Sequence, residues 1–278
     1  MPDPLRPPEA EALAEWARRV RLNREQVDSV REVGDGSDFY APVAAAFKAD
    51  PHRTDEPALD LLRSLVQPGD TVLDIGAGGG RYALPLALVA REVIALDPSD
   101  GMLAILREGM AEHGIANVRI IQDRWPSPSA PICDVALICH VGYDIEDIGP
   151  FLDAMEAHAA RLCVAVLLQR QPASLFDQFW PAVHGIEREP LPALPEFLAL
   201  LLARKKLFEV RIGGRRPPQY GSMEGLLAMA RRQLWVEPGT PKDETLQRLL
   251  QERAEEHDGQ YGLGSLGLAI GVVTWATG

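Results

Sequence analysis

Cysteine is scarce in this chain: Cys133, Cys139 and Cys163 are the only three among 278 residues, and no two stand in C-x-x-C spacing. An odd count without metal spacing argues against a disulfide framework, and each thiol lies in an apolar run where it behaves as a small hydrophobe. A reducing cytoplasm is the expected compartment. The start, Met1-Pro2-Asp3-Pro4, lacks the charged segment and apolar run of a secretory signal. No apolar stretch reaches the ~18 residues that a spanning helix requires, so a soluble protein with no membrane partner is expected. Positive charge is also in deficit: 28 Lys and Arg against 40 Asp and Glu leave a formal net charge of -12. A nucleic-acid partner normally needs a net basic face, and none is expected here. The basic clusters Arg204-Lys205-Lys206, Arg215-Arg216 and Arg231-Arg232 read as solvated helix ends and loops.

What is present is a 46% hydrophobic chain with no internal repeat, enough for one large α/β domain with elaborations. Leu13, Trp16, Val20, Val27 and Val30 recur near the helical period, predicting amphipathic helix over residues 9–33. Gly34-Asp35-Gly36-Ser37 breaks it, Asp38-Phe39-Tyr40-Ala41 opens a short helical stretch, and a helix follows from Ala58 to Val66. Short apolar strands then alternate with helices. Strands are predicted over Thr71–Ile75, Glu92–Asp97, Asn117–Gln122, Asp134–Cys139 and Leu162–Leu168, with helices over Tyr82–Ala90, Ser99–His113 and Asp147–Ala160. Near-continuous apolar strands in this rhythm belong to parallel β-α-β units buried on both faces. Later strands are predicted at Leu207–Ile212 and Leu268–Ala276, with mostly helical chain from Met223 to Glu256 between them. The expected fold is a doubly wound, seven-stranded, mostly parallel α/β sheet. Its expected divisions are a helical extension over 1–57, a Rossmann-like cofactor-binding core over 58–170, and cap helices with the last two strands over 171–278. The proline- and aromatic-rich stretch from Phe176 to Phe197 reads either as part of a cap over the strands' carboxyl ends or as ordinary extra helices packed elsewhere.

The informative segment is Asp74-Ile75-Gly76-Ala77-Gly78-Gly79-Gly80-Arg81. Glycines after a strand permit a tight turn and close approach of a ligand. Asp74 is a carboxylate in an apolar strand, costly unless it is hydrogen-bonded or faces a ligand. Asp97 ends the next strand roughly 20 residues on, where a ribose-binding acid belongs; the plainer alternative is a cap for the helix starting near Ser99.

Together these residues resemble the class I S-adenosylmethionine-dependent methyltransferases. Asp74, Gly76, Gly78 and Gly80 match the first motif, and Asp97 matches the acid that holds the ribose hydroxyls. Val118 to Pro126 matches the third-strand motif, whose acid, Asp123 here, meets the adenine amino group. Cys133 to Ile138 is similar to the fourth strand leading into the active site. The resemblance covers about Ala58 to Gln169. It implies S-adenosyl-L-methionine as cofactor and S-adenosyl-L-homocysteine (SAH) as product, with Ala77, Pro98, Arg124, Trp125 and His140 joining the motif residues around the cofactor. It implies no metal.

The turn after the fourth strand, His140-Val141-Gly142-Tyr143-Asp144, would face the transferred methyl group. Methyl transfer needs mainly proximity and orientation, with a base only for a protonated nucleophile. His140 is the candidate base and Tyr143 the candidate positioning group for an acceptor, expected to be a small molecule; equally, His140 could contact the cofactor's methionine end or simply pack. Gln169 is a further pocket candidate, and Phe39 and Tyr40 border the cofactor site or belong to the core. The alternatives are a nicotinamide-dependent oxidoreductase and a non-catalytic S-adenosylmethionine- or metabolite-binding protein. Against the first, G-x-G-x-x-G counted from Gly76 meets Arg81 where a small residue is needed, and the register Gly78, Gly80, Ala83 lies too far from the strand. Oligomeric state, acceptor and methylated atom are open at this stage.

Overall fold

The computed structural model describes residues 8–34, 44–45, 47–54, 56–215, 217–264 and 268–277. β1 (Thr71–Ile75), β2 (Glu92–Leu96), β3 (Val118–Ile121), β4 (Cys133–Cys139) and β5 (Ala159–Leu168) pair in parallel. β6 (Phe208–Arg215) follows, then a hairpin of β7 (Ala254–His257) and β8 (Gln260–Leu263), then β9 (Leu268–Ala276). The main sheet has seven strands in the order β3-β2-β1-β4-β5-β9-β6, with β9 antiparallel to both neighbours. The expected mostly parallel seven-stranded sheet is therefore what the chain forms. Its order reverses between β1 and β4, and at such a switch the carboxyl ends of two strands open a crevice for ligands.

Alternate residues of each strand feed two separate cores. Leu73, Ile75, Ala136, Ile138 and Leu167 face a layer of α1 (Glu9–Val30) and α5 (Ile148–Ala157), together with the helix Leu194–Ala203. Val72, Val93, Val135, Leu137 and Val166 face α2 (Pro57–Leu65), α3 (Ala83–Ala87) and α4 (Asp100–His113). Burial on both sides is why the strands read as unbroken apolar runs. α1 belongs to the first layer: Trp16 is 2% exposed, and its indole donates to the Ile145 carbonyl at 2.9 Å.

A third core lies among α6 (Trp180–His184), α8 (Met223–Leu234), α9 (Pro241–Arg253) and the β7–β8 hairpin, α7 being Leu194–Ala203. Phe176, Phe179 and Trp180 pack there with Leu226, Leu246 and Leu250, and Val27 near the end of α1 joins them. The Arg188 guanidinium and the His184 ring each lie 4.3 Å from the Trp180 ring. The chain enters this unit from β5 and β6 and leaves it into antiparallel β9, so all three connections open on the carboxyl edge of the parallel strands.

The mostly helical segment expected from Met223 to Glu256 forms two helices, α8 and α9. Trp235 turns left-handed at φ 58 and ends α8, and Thr240 and Pro241 restart the chain as α9. Asp258 and Gly259, both at positive φ, then close a two-residue hairpin turn, for which Asp-Gly is a strong signal. The helix expected over Tyr82–Ala90 is shorter, Ala83–Ala87. The stretch from Asp35 to Ala41 lies outside the described residues.

Candidate functional site

The glycine turn, the acid after β2 and the turn after β4 converge at the switch point. Gly76 stands at φ 75 and its amide donates to the Leu96 carbonyl at 2.7 Å; a Cβ there would come 2.5 Å from Val141 Cγ2. That near-contact shows how tightly the β1 turn packs on the β4 turn. Ala77, also buried, donates to the same carbonyl at 3.1 Å. Gly78, at φ 55, donates to Asp97 Oδ2 at 2.8 Å. Gly80, at φ 82, sits where a Cβ would press on Leu106 at 2.5 Å, so it serves the packing of the turn on α4.

Asp97 is 8% exposed, and its Oδ1 accepts the Ser99 amide at 2.8 Å. Ser99 itself caps α4, its hydroxyl accepting the Met102 amide at 3.0 Å. The helix-cap role that offered the plainer explanation of Asp97 is thus filled by Ser99. Pro98, between them, is exposed.

Asp74 is 1% exposed, and among the described residues neither carboxylate oxygen has a hydrogen-bond partner. Burial first, and the negative charge of Asp97 second, push its carboxyl up to about 7. A buried acid without donors is unstable as an anion, and it fits a site completed by a cationic ligand.

His140 directly follows β4 at φ 59, half-buried, its amide donating to the Val166 carbonyl at 2.8 Å. Its Nε2 lies 3.4 Å from the Tyr82 hydroxyl. Tyr82 donates to Glu56 Oε1 at 2.6 Å, so that ring nitrogen meets the phenol oxygen as a donor. Glu56 Oε2 receives Arg81 at 2.7 Å and Arg53 at 3.0 Å. Burial alone would raise the Glu56 carboxyl, but the Tyr82 hydroxyl and the two guanidiniums hold it below its ordinary value. Among the described residues, Arg53 Nη2 and Arg81 Nε are buried without acceptors. Arg53 and Glu56 carry no site signal in the sequence, and Arg81 and Tyr82 none beyond their place directly after the glycines.

The other candidates are dispersed. Tyr143 is 5% exposed, and its hydroxyl accepts the Leu168 amide at 2.8 Å, tying the β4 turn to the end of β5. Asp123 accepts the Arg124 amide at 2.8 Å and the Ser127 hydroxyl at 2.6 Å, and these contacts, Ser127 foremost, hold its carboxyl below the ordinary value. Arg124 is exposed. Trp125 turns toward α5, its indole donating to the Phe151 carbonyl at 3.1 Å and its ring set edge-on to His158 at 5.1 Å. Gln169 is exposed, its amide donating to Ala269. Phe39 and Tyr40 lie outside the described residues.

Residues 72–160 match the family model described as a methyltransferase domain. A sequence relative described as a probable cobalt-precorrin-6B C(15)-methyltransferase (decarboxylating), from Methanobrevibacter smithii, is 26% identical over 40% of this chain and 61% of its own length. A ribosomal protein L11 methyltransferase of Vibrio campbellii is 25% identical over 50% of this chain and 48% of its own. The chain therefore spans less than two thirds of either relative. The solved magnesium protoporphyrin IX methyltransferase of Synechocystis, with bound SAH, superposes with a TM-score of 0.53 at 11% identity, covering 92% of this chain and 99% of that one. The fold is shared with it. Residues 72–160 therefore form a methyltransferase domain of the Rossmann-like class I kind, whose methyl donor is S-adenosyl-L-methionine.

Proposed function

We propose that the whole chain transfers a methyl group from S-adenosyl-L-methionine to a small-molecule acceptor. The observation that carries this reading is the pairing of orphaned Asp74 with Asp97, whose Oδ2 already occupies the Gly78 amide. A nicotinamide site needs such turn amides free for an anionic pyrophosphate. Here the amide of Gly78 is taken and two carboxylates flank the turn, an arrangement that repels phosphate and suits a cationic ligand. When bound, the cofactor supplies an electrophilic methyl group.

In this reading Asp97 accepts the ribose hydroxyls, while Asp74 offsets the positive charge at the methionine end. Gly76, Ala77 and Gly78 leave room for the cofactor, and Gly80 holds the turn against α4. The unsatisfied N–H groups of Arg53 and Arg81 are complementary to a carboxylate. Pro98, Asp123, Arg124 and Trp125 border the adenine end. His140, held by Tyr82 and Glu56, faces the acceptor side and is the base when the nucleophile arrives protonated. Tyr143 supports that turn through Leu168.

The unit built on α6, α8, α9 and the hairpin is the cap of the crevice, excluding water from the transfer. A net charge of -12 favours a small or neutral acceptor over a polyanion. The test is transfer of labelled methyl from the cofactor to panels of small molecules, ribosomal RNA and ribosomal protein. Saturable labelling of a small molecule is expected. Labelling confined to RNA or protein would overturn the acceptor class, and cofactor binding with no transfer to any panel would favour a non-catalytic binder.

A further inference from the structure

β6 forms one end of the seven-stranded sheet. It pairs with β9 from Phe208↔Trp275 to Arg215↔Leu268 and, among the described residues, with no strand on its outer side. Such an edge exposes a row of unpaired backbone groups and invites strand addition unless it is short, bulged or covered. This one is 8 residues long and pairs without a register shift.

Its side chains are self-complementary. Phe208 and Val210 pack on the core beneath α7, and Ile212, on the same face, is 64% exposed. Glu209 and Arg211 lie on the opposite face, both exposed, and their side chains make no hydrogen bond or ion pair among the described residues. Leu207, just before the strand, is 94% exposed.

In an antiparallel ladder between two copies, opposed residues share a face, so a two-fold axis perpendicular to the sheet must pass through a residue. An axis at Glu209 sets that carboxylate against its own copy, and an axis at Arg211 does the same with guanidinium. Like charges in direct opposition are destabilising. An axis at Val210 instead sets Glu209 against the second copy's Arg211, and Phe208 against its Ile212, each twice over. Leu207 then meets the second copy's Gly213, a position where an added side chain encounters nothing within 4 Å. The charge pattern selects this register over its neighbours.

We propose that the chain forms a two-fold dimer with a second copy of itself by antiparallel addition of β6 to β6 about Val210. The surface is closed by this pairing, so assembly stops at two.

The test is sedimentation velocity of the full chain with two charge substitutions. The wild type is expected to sediment as a dimer. Glu209→Arg or Arg211→Glu alone sets like charges against each other, and should weaken association at least tenfold. The double variant restores opposite charges and should restore the dimer. Both side chains are exposed, so the circular dichroism spectrum and SAH affinity should stay at wild-type values and report an intact fold. A monomeric wild type, an assembly larger than two, a dimer indifferent to the single substitutions, or a double variant that remains dissociated would each overturn the proposal.

Discussion

The amide of Gly78 donates to Asp97 Oδ2 at 2.8 Å, joining the glycine turn after β1 to the acid after β2. One carboxylate therefore shapes the turn, and in the proposed site it also accepts the ribose hydroxyls. Asp97→Ala removes it. Hydrogen bonds from a charged group contribute about 1.5 to 3 kcal/mol each, and each 1.4 kcal/mol is a factor of ten in affinity. SAH affinity should fall at least about tenfold by calorimetry, while Ser99 still caps α4 and the fold persists. An unchanged dissociation constant would remove Asp97 from the cofactor site.

Asp74 predicts a pH dependence. Its carboxyl rises from an ordinary 3.8 to about 7 in the folded chain, so the folded state holds a proton that the unfolded state has released. The contribution of Asp74 to stability is greatest below pH 4, falls as pH rises toward 7, and levels off above that. The loss is on the order of 4 kcal/mol at pH 8. Asp74→Asn should therefore stabilise the ligand-free protein increasingly between pH 4 and 7, while weakening cofactor binding. Denaturation curves across that range check it, and a gap that does not widen with pH would contradict it.

Gly76 and Gly78 share left-handed backbone but differ in their surroundings. An added methyl at Gly76 meets the branched Val141 at 2.5 Å, whereas at Gly78 it meets only the flexible end of Met102 at 2.9 Å. Gly76→Ala should cost more than the ~1–2 kcal/mol of left-handed strain, and Gly78→Ala about that much. Gly78→Leu should fold yet lose SAH binding, because its side chain fills the cofactor's path. Thermal unfolding paired with calorimetry separates the two effects.

The sheet was legible because burial on both faces leaves little ambiguity in runs such as Thr71–Ile75 and Cys133–Cys139. The glycine turn and Asp97 were legible because their spacing is local. The β7–β8 hairpin was not: the polar residues of α9 run straight into Glu255 and Glu256, and this masked the Asp258-Gly259 turn. The Glu56–Tyr82–His140 linkage joins residues far apart in sequence, so nothing in the spacing announced it. Tyr143 and Trp125 looked like pocket residues by position, and only tertiary partners, Leu168 and Phe151, reveal what their polar atoms do.

Those partners make His140 and Tyr143 separable. Tyr143→Phe leaves the Leu168 amide without its acceptor, a loss of about 1 to 3 kcal/mol when such a group is buried. Its melting temperature should drop with SAH affinity little changed. His140→Ala should keep both near wild type while slowing transfer to the acceptor. Loss of SAH binding in His140→Ala would move that residue to the cofactor's own contacts.

The cap assignment predicts protection. SAH should slow limited proteolysis within residues 172–184, the part of the cap that follows β5, because ordering of the crevice orders its cover. Equal cleavage with and without saturating SAH would place that unit away from the crevice.

The central claim is that the paired acids at the glycine turn define a site for a sulfonium nucleoside. Isothermal titration of the wild-type chain with S-adenosyl-L-methionine, SAH and NAD measures this directly. Saturable binding of both sulfur nucleosides and no heat with NAD is the predicted result; NAD binding with no response to either sulfur nucleoside would contradict it.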